Sequence, residues 1–105
     1  MENSKTIKVF ISQPMRDKTD EEIMTERNAA ITTLKENEPD KNFEVIDSFM
    51  QGAPHDAKPL WFLGKSLQML STADLALFIG NWSDYRGCRI EHICAEEYGI
   101  EIIEE

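Results

Sequence analysis

Five consecutive apolar residues, Leu75-Ala76-Leu77-Phe78-Ile79, constrain the fold of this chain more than any other feature. The run does not alternate, so a strand built from it has no polar face to give to water and must be covered on both sides, as in a parallel sheet. It is therefore expected at the centre of such a sheet. The flanking segments supply the rest of the pattern. Lys8-Val9-Phe10-Ile11 is a strand signal ended by Ser12-Gln13-Pro14, where proline removes a ladder donor. Thr19 and Glu22 have the spacing of a capping box and predict a helix from near Asp20. Its apolar stripe is Ile23, Ala30, Ile31 and Leu34, and Pro39-Asp40 stops it.

Phe43-Glu44-Val45-Ile46 predicts a second strand, and Asp47 to Pro59 an irregular loop. Leu60, Leu63, Leu67 and Leu70 recur at helical spacing, with Trp61 and Phe62 expected to widen the buried face. After the central strand and a loop from Gly80 to Gly87, Ile90, Ile93, Cys94 and Tyr98 mark a third helix. Gly99 is placed as its left-handed stop, and Ile100 to Ile103 form a last strand. The order β-α-β-α-β-α-β implies an α/β domain, a four-stranded parallel sheet with helices on both faces.

The 105 residues suit one domain, read as spanning 1–105, and 41% hydrophobic with 30% charged residues argues against disorder. A net charge of -9 disfavours a grip on a nucleic-acid backbone or an anionic membrane, so neither is expected as a partner. The longest apolar run is too short to cross a bilayer, and the polar start Met1-Glu2-Asn3-Ser4-Lys5 lacks a signal-peptide core; a cytoplasmic location is the expectation. Cys88 and Cys94, on one helix, point about 120° apart and are expected reduced.

In such sheets ligands bind beyond the carboxyl ends of the strands, where strand order reverses. That selects the loops Ser12 to Lys18, Asp47 to Pro59 and Gly80 to Gly87, with the first turn of the third helix. Glu91 lies one turn into that helix, as a catalytic carboxylate or as a glutamate stabilised by the helix dipole. Asp84 could pair with it as glycosidic chemistry requires, or be a solvated loop acid. Trp82 and Tyr85 could stack a planar base or roof the core. Arg16, Arg86 and Arg89 could fork onto a phosphate or balance the acids. Cys88 and His92 share a helical face, but no third ligand accompanies them and no metal is expected. The glycine-rich dinucleotide, P-loop and nucleophile-elbow patterns do not occur.

Ala73-Asp74-Leu75-Ala76-Leu77-Phe78-Ile79-Gly80, then Asp84-Tyr85-Arg86-Gly87-Cys88-Arg89-Ile90-Glu91, then Ala95 and Tyr98-Gly99-Ile100, resemble the closing half of the nucleoside 2-deoxyribosyltransferase superfamily. Val9-Phe10-Ile11-Ser12-Gln13-Pro14-Met15 resembles its first strand and nucleotide loop, and the likeness to the short DUF4406-type branch covers nearly the whole chain. The resemblance implies a flavodoxin-like, Rossmann-like domain that cleaves or exchanges the N-glycosidic bond of a nucleoside or its monophosphate without a cofactor. It implies Glu91 as nucleophile, Asp84 as second acid, and Ser12, Gln13, Pro14, Met15, Arg16, Ser66, Trp82, Gly87 and Arg89 around the substrate. Ser66 stands where the family has an active-site aspartate, and Arg89 where it has a small residue. Hydrolysis or plain nucleotide binding is therefore expected ahead of base exchange, and a homo-oligomer is implied.

Overall fold

A computed structural model describes residues 5–48 and 54–105; the part of the predicted loop at 49–53 lies outside the described residues. The elements are β1 (Thr6–Ser12), α1 (Asp20–Asn37), β2 (Asn42–Val45), α2 (Pro59–Leu70), β3 (Leu75–Phe78), α3 (Arg86–Glu97) and β4 (Glu101–Glu104), with a short 3-10 turn at Trp82–Asp84. All pairings are parallel and the strand order is β2-β1-β3-β4. The expected α/β architecture is thus present, with β1 and β3 side by side in the middle. Because β2 and β3 flank β1 on opposite sides, chain direction across the sheet reverses there, and the switch point lies beyond Ser12 and Phe78.

The four residues of β3 are buried on both faces, as their unbroken apolarity requires. Their side chains divide between two cores by the two-residue period of a strand. Leu75, Leu77 and Ile79 join Val9, Ile11, Ala30 and Leu34 on the α1 side, whereas Ala76 and Phe78 join Phe10, Leu70 and Ala95 on the side of α2 and α3. The capping box forms: Thr19 N–H donates to Glu22 Oε1 at 2.8 Å, and Glu22 N–H donates to Thr19 Oγ1 at 3.1 Å. Gly99 ends α3 with φ of 73°, a conformation that side chains rarely adopt. Both cysteines are free.

Two apolar stripes are corrected. On α2 only Leu70 is buried, and Leu60 is 75% exposed. The first turns of this helix run past the carboxyl ends of the strands, so Phe62, Leu63 and Ser66 wall a cavity there and do not cover sheet. On α3 the buried residues are Cys88, Glu91 and Ala95, whereas Ile93 and Tyr98 are 56% and 81% exposed. The fully buried line carries small side chains and one carboxylate, so of the apolar stripe Cys94 packs against the core and Ile90 is half-buried, whereas Ile93 and Tyr98 face outward.

Candidate functional site

Beyond the carboxyl ends of β1 and β3 lies a cavity of about 640 Å³, walled by the exit of β1 from Ser12 to Arg16, by Ser48 after β2, by Pro59, Phe62, Leu63 and Ser66 of α2, and by Tyr85, Gly87, Cys88 and Glu91 at the head of α3. Of the sequence-predicted residues it brings together Ser12, Gln13, Pro14, Met15, Arg16, Ser66, Gly87 and Glu91. It sits at the switch point, where the topology places a ligand.

Glu91 is 7% exposed. The Ser12 hydroxyl donates to its Oε1 at 2.6 Å, within the range for a hydroxyl bonded to a charged carboxylate. Strand parity explains the meeting, because Phe10 and Ser12 share the sheet face that α3 covers. Burial pushes the Glu91 carboxyl above its ordinary value, and hydrogen bonding by Ser12 and Ser66 opposes that rise. Burial likewise pushes the Cys88 thiol up, so it stays protonated and unreactive near neutrality.

The same parity turns Gln13 the other way, toward α1. Its amide nitrogen donates to Ile23 O at 3.3 Å and Glu26 Oε1 at 3.2 Å, while its amide oxygen accepts from Arg27 Nη1 at 3.1 Å. The side chain is thereby bonded to α1, while residue 13 also lines the cavity. Arg27 is a cation 4% exposed that sequence reading missed. Its Nη2 donates to Ser48 Oγ at 2.9 Å and Ile46 O at 3.4 Å, tying α1 to the exits of β1 and β2 behind the cavity wall. Burial lowers its pKa, and Asp47 pulls the other way. The available signal was position: Arg27 lies four residues after Ile23, on the stripe that continues through Ala30 and Leu34.

Three predicted residues lie elsewhere. Asp84 and Arg89 line an adjoining chamber of about 710 Å³ that does not include Glu91, so the two carboxylates do not share one chamber. Asp84 accepts a long 3.4 Å bond from Asn81 Nδ2, and Arg89 Nη1 donates to Ser83 O at 3.0 Å. Trp82 stacks on His92, with ring centroids 4.4 Å apart and planes 7° from parallel, and packs against Phe78. It closes the edge of the core; the aromatic residues that wall the cavity include Phe62 and Tyr85. His92 is also bonded to Glu104 at 2.9 Å, so it and Cys88 serve different surroundings, and no metal-holding cluster occurs among the described residues. Among those residues no helix is long and apolar enough to cross a membrane.

Fold and site together define an α/β domain with a partly apolar, carboxylate-bearing cavity at its topological switch point. Comparison with family models, with curated proteins and with solved structures finds no match to this chain.

Proposed function

We propose that the chain binds a nucleoside or its monophosphate in the Glu91 cavity and cleaves the N-glycosidic bond. The observation that carries this reading is the buried Glu91 carboxylate, bonded to Ser12 and facing a cavity of about 640 Å³ at the switch point. The partly apolar walls from Phe62, Leu63, Pro14 and Tyr85 suit a planar base, and Arg16 at the mouth suits a phosphate. In the reaction a Glu91 oxygen bonds to the anomeric carbon as the C–N bond breaks, and its electron pair leaves with the base, which takes a proton from solvent. Water then attacks the glycosyl ester, releasing the sugar and returning the carboxylate, with its second proton passing to solvent. Incubation with nucleosides and monophosphates, followed by chromatography of free base, tests the reading. Binding with no base release would leave a nucleotide-binding protein, an alternative favoured by Ser66 standing beside Glu91 in place of a second carboxylate.

Attack requires ionised Glu91. Since burial raises its pKa, kcat/KM is expected to climb with pH along a limb lying above the usual carboxylate range. Ser12→Ala, which removes a donor to the anion, should move that limb further up. A limb at the ordinary glutamate position, unmoved by Ser12→Ala, would separate Glu91 from the rate.

Stability gives a second readout. A raised folded-state pKa means that the folded protein holds the Glu91 proton after the unfolded chain has lost it. The associated stability is complete below the ordinary carboxylate pKa and is lost as pH rises through the folded value. Glu91→Gln should therefore melt higher than wild type at pH 7, with the gap closing in acid. An equal melting temperature across that range in thermal denaturation would contradict the direction of the shift.

A further inference from the structure

Two chambers meet at the head of α3, and only one of them contains Glu91. Arg16, Tyr85 and Gly87 border both, so the two chambers adjoin at these residues. Arg86 and Arg89 border the second chamber and are absent from the Glu91 wall. We propose that the second chamber takes a pyrophosphoryl group, so that the ligand is a nucleoside carrying two linked phosphates at its 5′ end. This rests on the nucleotide reading above and specifies its substrate class.

Charge and placement lead to this ligand. A chain of net charge -9 puts three guanidiniums, Arg16, Arg86 and Arg89, around one hollow. Among the described residues neither Arg16 nor Arg86 is held in an ion pair, and Arg89 is anchored through a single nitrogen to Ser83 O at 3.0 Å. Their donors are thus available to an anion, which planar guanidinium recognises in a forked manner. Asp17 and Asp84 line the same wall and repel a phosphate. An anion there must engage more than one guanidinium at once to offset them. In the proposed pose a first phosphate, attached to a sugar above Glu91, lies at the shared border of Arg16 and Gly87, and a second, linked phosphate lies against Arg86 and Arg89, which line the second chamber and not the first.

The distribution of arginines therefore predicts two separable steps in affinity. Isothermal titration at low salt would compare a nucleoside, its 5′-monophosphate, its 5′-diphosphate, a diphosphate whose terminal phosphate is esterified by a second ribose, and inorganic pyrophosphate. The monophosphate should bind at least about tenfold more tightly than the nucleoside, and the diphosphate at least about tenfold more tightly than the monophosphate, each gain shrinking with salt. Arg86→Ala with Arg89→Ala should erase the second step and keep the first, whereas Arg16→Ala should weaken both. These arginines are exposed, so an unchanged melting temperature is expected for the variants. A diphosphate no tighter than the monophosphate, or a second step that survives the double variant, would overturn the inference while leaving the nucleotide reading standing. Binding of inorganic pyrophosphate that depends on Arg86 and Arg89, with every nucleoside and nucleotide silent, would keep the anion chamber and remove the nucleotide reading. No binding by any of the five would remove both. Equal affinity of the free and esterified diphosphates identifies the pyrophosphoryl link as the recognised group; loss on esterification identifies a free terminal phosphate.

Discussion

Glu91→Gln is expected to lower base release on the order of a thousandfold or more, while nucleotide affinity stays within roughly threefold of wild type. The substitution keeps the shape of the side chain and an oxygen that can accept the Ser12 hydrogen bond, and it removes only the anion that forms the glycosyl ester. Asp84→Asn should cost much less, because Asp84 lines the neighbouring chamber and not the one that contains Glu91. Chromatography of released base over a matched range of enzyme concentrations measures both. Equal turnover in Glu91→Gln and wild type would remove the nucleophile, and a larger loss in Asp84→Asn would move the chemistry to the adjoining chamber.

Arg27→Met should destabilise the fold by about 3 kcal/mol, because it leaves the Gln13 amide oxygen, the Ser48 hydroxyl and the Ile46 carbonyl without their donor. Each such orphan costs about 1 to 3 kcal/mol, and relief from burying a guanidinium offsets part of the total. In a chain of this size that corresponds to a fall of roughly 10 to 20 °C in melting temperature. Arg27→Lys should recover only part of the loss, since a single ammonium cannot reproduce the fork that reaches Gln13 and Ser48 together. Urea unfolding of both variants provides the measurement. A change under about 1 kcal/mol in Arg27→Met would show that the bonded cation adds little to the junction of α1 with the exits of β1 and β2.

The two helical stripes that misled show how far periodicity can be read. On α1 the stripe through Ile23, Ala30 and Leu34 is buried as expected, because the middle of that helix lies on sheet. On α2 and α3 the same rule selected Leu60, Ile93 and Tyr98, all exposed. Those helices cover a sheet face only in part and use their heads to wall a cavity, so polar Ser66 and Glu91 occupy inward positions. The site loops were legible from topology alone. The bonding of Gln13 to α1 was also available, since it shares the parity of Val9 and Ile11, whose side chains meet α1.

By itself the sequence determined the parallel sheet, its central strand, the capped start of α1 and the glycine stop of α3. Each follows from covalent geometry and short-range side-chain direction, which act within a few residues of chain. Only the tertiary structure decided that Arg27 would be buried, that Ser12 would meet Glu91 across 79 residues of chain, that Trp82 would close on His92, and that Asp84 and Glu91 would face different chambers. Those outcomes depend on which groups converge beyond the strand ends and on whether each polar atom finds a partner after leaving water. Such partners come from distant segments, and no local period records them.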